Sequence, residues 1–310
     1  MNEPRNTIVM ATKIALVALL ILCTSGCNQT PQNQEPKYGT APLSQNIRTY
    51  DFAVHPLHNP SKMNKAYQPL ISYLNRLAKD VRFNLEASRD YASFEAKIRA
   101  REPAFLLPNP WQTLEAMKAG YTVIAMAGEP HDFKGIFLVR RDSGIRKPTD
   151  LKGKAVSYPS HTALAACIMP QYFLHRHGVN VNKEIDNRYV GSQESSIMNA
   201  YLKQTVAAAT WPTPWRAFQK EHPTEAAEMK LMWETPSLIN NSVMARNDVP
   251  LSVREQVRES LLKLHNTPEG RAILEGMETA RFRPAADADY DIVRDYIAGF
   301  EKEVRPVERK

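Results

Sequence analysis

Short apolar runs alternate with helix-spaced runs along most of this chain, and that alternation narrows the possible folds more than any other feature. Residues 48–54 have the pattern of a strand, and residues 67–79 place Leu70, Ile71, Leu74 and Leu77 at helical spacing. Strands are expected at 81–85, 105–107 and 121–127. Helices are expected at 90–101, with Asp90 as a candidate N-cap, and at 111–119 after Pro110. Strand and helix in turn predict a mainly parallel sheet with helices packed on its faces.

After a strong strand at 135–140 comes a polar, turn-rich stretch, and a second alternation begins. Strands are expected at 155–158, 187–190 and 206–210, and helices at 162–177 and 195–203. Residues 237–246 are strand-like, and helices follow at 252–264, 268–277 and 290–304. The second α/β unit therefore interrupts the first. The expected organisation is α/β with two lobes: 47–139 plus 243–310 form lobe 1, and 140–242 form lobe 2. The hinge strands are expected near 136–142 and 237–246.

The N-terminus carries an export signal. Arg5 and Lys13 precede an apolar run at 14–22. That run is shorter than the roughly 20 residues a membrane-spanning helix needs, so it matches the core of a secretory signal. Thr24-Ser25-Gly26-Cys27 closes it and resembles the bacterial lipobox, with Thr24 where Leu is usual. Residues 1–27 are thus expected to be a lipoprotein signal ending at Cys27, the lipidated residue. Residues 28–46, rich in Gln, Asn and Pro, are expected to be a flexible tether, since they lack the apolar side chains to offset the entropy of ordering. The product would be exported and lipid-anchored on the outer side of a bacterial membrane.

Composition excludes several classes. With Cys23 and Cys27 in the signal, Cys167 has no partner, so no disulfide framework is expected; its apolar neighbours suggest a small buried core residue. The net charge of +7 is spread along the chain, with no basic tract interleaved with aromatics, which argues against nucleic acid. There is no Gly-rich phosphate loop, no His-Glu-x-x-His and no Gly-x-Ser-x-Gly, so no enzyme or cofactor is expected. His55 and His58 share a loop, but no carboxylate or Cys lies at ligand spacing, so no metal is expected either.

A set of segments in a fixed order resembles the phosphate/phosphite/phosphonate-binding proteins of ABC importers, which have the type II periplasmic-binding fold. It includes Tyr67-Gln-Pro-Leu-Ile-Ser-Tyr-Leu74, Asp90-Tyr-Ala-Ser-Phe94, Arg141-Asp-Ser-Gly-Ile145, Asp150-Leu-Lys-Gly-Lys154, Gly191-Ser192, Thr267-Pro-Glu-Gly-Arg271 and the stretch Phe282 to Asp291. The resemblance implies a protein that captures a small solute between two lobes and passes it to a permease with its ATPase. A membrane sensor as partner, or an enzyme reusing the fold, are the other readings. It also implies an oxyanion held at a helix N-terminus dressed with hydroxyls. Here that position has Thr162-Ala163-Leu164-Ala165-Ala166. The family's Gly-Ser-His appears as Gly191-Ser192-Gln193, its aromatic loop as Pro108-Asn109-Pro110-Trp111, and its acidic residue as Trp211.

In such a fold the cleft is lined by loops at the carboxyl ends of strands. The candidate ligand-binding residues are His55, Asn59, Asn109, Trp111, Tyr158, Ser160, His161, Thr162, Ser192, Gln193, Trp211, Trp215 and Asn240. Asn240 and Asn241 together form the second crossing, where they either meet ligand or tie the hinge. Ser160 is equally a helix cap. Trp211 and Trp215, set among prolines, either cover core or stack on a ligand. Three Trp residues in place of Tyr and acid favour a solute larger than phosphate, with an organic or aromatic part.

Overall fold

The computed structural model describes residues 47–307. The expected signal, Cys27 and all of the expected tether lie outside them. The strands, in chain order, are β1 (Arg48–Val54), β2 (Val81–Ala87), β3 (Phe105–Leu107), β4 (Tyr121–Ala127), β5 (Ile136–Arg140), β6 (Lys154–Tyr158), β7 (Ile185–Tyr189), β8 (Ala207–Thr210), β9 (Met229–Glu234), β10 (Ser242–Arg246) and β11 (Phe282–Arg283). They form two sheets, one ordered β11-β4-β10-β3-β1-β2 and the other β7-β6-β8-β5-β9.

The sheets are mixed rather than mainly parallel. In the first, Phe52 pairs in parallel with Leu85 on one side and Phe105 on the other, while β10 runs antiparallel between β3 and β4. In the second, β6 is parallel to β7 and β8, while β5 runs antiparallel to β8 and β9. Of the reversed strands, β5 enters and β10 returns from the inserted unit, and the short β11 adds an antiparallel edge on β4. Strands covered on both faces need apolar residues throughout: Phe52, Ala53, Val54, Val243, Met244 and Ala245 are fully buried, as are Ile136, Phe137, Leu138 and Val139.

The helices are α1 (Pro60–Leu77), α2 (Tyr91–Ala100), α3 (Pro110–Lys118), α4 (Met169–Arg176), α5 (Gln193–Tyr201), α6 (Pro212–Glu221), α7 (Pro223–Ala227), α8 (Leu251–Lys263), α9 (Pro268–Gly276) and α10 (Asp291–Glu303). Several start on a side-chain cap. Asn59 accepts from the Lys62 N–H at 3.0 Å, Asp90 from Ser93 at 2.8 Å, Asn109 from Gln112 at 3.0 Å and Ser192 from Ser195 at 3.1 Å.

Four sequence expectations change. The first hinge strand at 136–142 is not a crossing: β5 is fully hydrogen-bonded in the second sheet, so residues 136–139 group with that sheet and not with the first. Strand structure at the second crossing begins at Ser242, and 235–241 is an irregular, partly buried link. The helix expected from 162 instead begins with a π-helical turn, Leu164–Ile168, ahead of α4. The stretch after β8 is helix from Pro212, because Pro at the first turn is compatible with helix and Trp215 and Phe218 lie one turn apart on its buried face.

The two links between the sheets, 128–135 and 235–241, are tied to each other. Thr235 N–H donates to the Gly135 carbonyl at 2.9 Å, Gly135 N–H to Thr235 Oγ1 at 2.9 Å, and Leu238 N–H to the Phe133 carbonyl at 2.8 Å. Gly135 is required by a close approach, since a Cβ there would lie 2.7 Å from the Ala165 carbonyl oxygen and 2.8 Å from Pro170. The chain end adds a further tie. Helix α10 packs on α3, yet beyond it Arg305 donates to Gln171 Oε1 at 2.9 Å and to the His161 carbonyl at 3.1 Å, both in the second lobe.

Candidate functional site

The carboxyl ends of the parallel strands in both sheets face one cleft. His55 follows β1, Asn109 follows β3, Ala163 comes in the loop after β6, Gln193 follows β7 and Trp211 follows β8. Because β5 and β10 run antiparallel, their amino ends reach the same place, bringing Phe133 and Asn241. These residues, with Tyr91 and Leu164 to Ala166, line a cavity of about 10 Å³. That is near the 10–15 Å³ which one water molecule needs. Larger hollows, of about 550 and 450 Å³, lie behind the links and along the rim of α1, α6 and α9. Neither gathers the strand ends of both sheets.

The floor of the cavity is backbone. The π-helical turn is closed by Cys167 and Ile168 N–H groups on the Ala163 carbonyl, at 2.7 and 3.1 Å. Leu164, Ala165 and Ala166 lie in the first turn, where N–H groups have no carbonyl one turn back. Such a helix start favours negative charge.

The walls combine uncharged polar groups with the rings of Phe133 and Trp211. His55 Nδ1 lies 3.0 Å from the Leu107 carbonyl, which can only accept, so Nδ1 carries the proton and Nε2 is the ring's acceptor. Burial lowers the His55 pKa to about 4, against an opposing push from that hydrogen bond, so the ring is neutral at physiological pH. Gln193 accepts from Thr210 Oγ1 at 2.8 Å and donates to Tyr91 OH at 3.1 Å across the cleft. Asn109 reaches the Thr162 carbonyl at 3.4 Å, also across the cleft. Asn241 Oδ1 is buried and has no hydrogen-bond partner. Outside the wall, Glu95 accepts from Thr162 Oγ1 at 2.6 Å and Gln112 Nε2 at 3.1 Å, and burial pushes its carboxyl up from the usual range.

Of the candidates named from sequence, the structure brings His55, Asn109, Gln193 and Trp211 together on the cavity wall. The others lie elsewhere. Asn59 and Ser192 are helix caps. Trp111 is buried in the core at the start of α3, and Tyr158 is buried with its ring 5.9 Å from that of Tyr189. Ser160 Oγ accepts from the Thr162 N–H at 3.3 Å, Thr162 is engaged by Glu95, and the His161 ring packs on Tyr189 at 5.5 Å. Trp215 packs on Phe218 at 5.8 Å in a core with Ile136, Leu138 and Met229. Asn240 holds the link: its Nδ2 donates to the Glu129 carbonyl at 2.9 Å and its carbonyl accepts from Tyr290 OH at 2.7 Å. Sequence reasoning did not name Tyr91 or Phe133 as wall residues: Tyr91 was noted only within the family segment Asp90–Phe94, and Phe133 carries no motif. The backbone of 163–166 was placed only by the resemblance, since no side-chain pattern reports it.

Comparison with known proteins places these features in context. The model of the family described as "ABC transporter, phosphonate, periplasmic substrate-binding protein" matches residues 52–290. A probable ABC transporter phosphite-binding protein of Prochlorococcus marinus (strain MIT 9301) is 23% identical over 186 residues, 56% of this chain. The match spans 63% of that relative, just under two thirds of its length. Among solved structures, a binding-protein component of an ABC phosphonate transporter from Pseudomonas aeruginosa superposes with a TM-score of 0.77 at 14% identity, covering 83% of this chain and 88% of that one. The same Prochlorococcus protein in complex with methylphosphonate gives a TM-score of 0.75 at 18% identity, covering 82% and 99%. At these identities the structural likeness is one of fold.

Proposed function

Because this chain belongs to the family of periplasmic substrate-binding proteins of phosphonate ABC transporters, we propose that it captures a small phosphorus oxyanion in the cleft and delivers it to a membrane permease driven by an ATPase. One observation carries the reading: a helix start with free N–H groups floors a small, uncharged cavity where the strand ends of both sheets meet. Phosphite, phosphate and short phosphonates fit that chemistry, as anions small enough that the lobes part little to house them. The solute with a large organic or aromatic part, favoured from the Trp content, does not suit a cavity of about 10 Å³. Trp111 and Trp215 are core, and Trp211 fills space instead of offering it.

Binding rests on backbone donors with few hydroxyls in support. Each missing neutral hydrogen bond weakens an oxyanion's hold by about 0.5–1.5 kcal/mol, so the affinity falls below that of a hydroxyl-rich cradle. Solute closes the lobes by touching both, with the links 128–135 and 235–241 as hinges. Cys27 anchors the protein by lipid, and residues 28–46 hold it clear of the membrane.

Thermal shift and calorimetry with phosphite, phosphate and methylphosphonate, with sulfate as a comparison, test this. At 100 times its dissociation constant a true ligand raises stability by about 2.7 kcal/mol. If no phosphorus oxyanion raises the melting temperature, the reading is wrong.

A further inference from the structure

Two small cavities meet at Trp211 and Asn241. The inner one is the site just described. The outer one, also about 10 Å³, has Leu57, Tyr67, Gly128, Asp132, Thr213 and Glu278 in its wall, and Trp211 and Asn241 belong to both. Trp211 is only 5% exposed, and its ring is tilted at 55° against Phe133 with centroids 5.5 Å apart. Its base is fixed as well. Thr210 before it is fully buried and bonded to Gln193, and Pro212 after it opens α6.

We propose that Trp211 is a specificity-determining partition, which confines the oxyanion headgroup to the inner cavity and shuts any long substituent out of the outer one. The proposal rests on the oxyanion reading and adds a limit on ligand length. A packed interior has no slack for a substituent unless some side chain yields. Beyond His55, Asn109, Gln193 and the helix start, the wall toward the outer cavity is the indole and Asn241. The outer cavity is not apolar. Asp132 pairs with Arg216 at 3.5 Å, and Glu278 pairs with Arg216 at 3.6 Å and Lys220 at 2.6 Å. Once the indole is gone, that annex suits a substituent ending in an amine, which can join the carboxylates, more than it suits an alkyl chain.

Calorimetry on the full chain with phosphite, methylphosphonate and 2-aminoethylphosphonate decides it, using wild type, Trp211→Ala and Trp211→Phe. The wild type should prefer the two short ligands over 2-aminoethylphosphonate by about tenfold to a hundredfold or more. Trp211→Ala should shrink that ratio at least about tenfold, mainly by gaining the long ligand, with Trp211→Phe in between. The ratio is an internal control for general loss of affinity, and Trp211→Phe decides if Trp211→Ala does not fold. An unchanged ratio, or a wild type that binds all three alike, overturns the partition and leaves the oxyanion reading standing. A wild type that binds none of them overturns both.

Discussion

His55 shows how much one buried side chain can control. Folding drops its pKa from 6.5 to about 4, because burial penalises the charged ring. A ring depressed in this way binds fewer protons folded than unfolded. Its contribution to stability is therefore complete above pH 6.5 and is lost as pH falls through about 4. The full window corresponds to about 3 kcal/mol. His55→Asn keeps a donor for the Leu107 carbonyl but cannot titrate. Melting temperatures taken between pH 7 and pH 4 should fall steeply for the wild type and less steeply for the variant. Parallel curves would assign the acid sensitivity to other groups. Residue-level legibility followed from what each position offers. His55, Asn109, Gln193 and Trp211 were visible because they are polar or aromatic residues just after strands. Asn241 was confused with its neighbour because adjacent side chains in an extended link point to opposite sides, and the phase is set only by where β10 starts. The 163–166 floor was placed only through the family resemblance, because its side chains are apolar and its chemistry lies in its N–H groups.

At the scale of elements, the lobes are held shut by ion pairs at the rim as well as by the cavity wall. Lys62 on α1 reaches Glu194 on α5 at 2.7 Å and Glu221 on α6 at 2.6 Å, and His222 lies 3.2 Å from Glu194. Such partly exposed pairs are worth about 1 kcal/mol or less each and weaken with salt. Lys62→Ala should therefore shift the unliganded protein toward open forms by roughly fivefold per kcal/mol lost. X-ray scattering should show a larger radius for the variant without ligand, and saturating ligand should restore the wild-type value. Equal radii without ligand would mean that the rim pairs do not hold the cleft. Most of the elements themselves were legible, since alternating apolar runs report strands and helices directly. The links were not, because Leu238 and Ile239 run on toward the apolar strand Ser242–Arg246 and make 237–246 look like one strand. Nothing local shows that its hydrogen bonds go to the other link instead of to a sheet. The helix after β8 was hidden by its prolines, which suggest a loop unless they are seen to occupy a first turn.

For the whole molecule, the decisive test is where it resides. The expected export signal and Cys27 precede a domain whose described helices include none long and apolar enough to cross a membrane. Attachment, on our proposal, depends on Cys27 alone. Wild-type protein should fractionate with membranes after a salt wash, and Cys27→Ala should appear in the soluble exported fraction. Membrane-bound Cys27→Ala protein would require another anchor.

The position of β10 also governs the order in which the molecule can assemble. This strand lies between β3 and β4, which do not pair with each other, and it arrives in sequence more than a hundred residues after them. The inserted lobe can form from a continuous stretch, but the first sheet stays split until Ser242–Arg246 has been made and threaded into the gap. Pairings that distant close slowly, because the entropy of the intervening loop is lost before the strand is in register. Such a chain stays unfinished for longer than one whose neighbours in sequence are neighbours in space. For a polypeptide that has to cross a bilayer before it folds, that delay keeps it in a form that can be translocated.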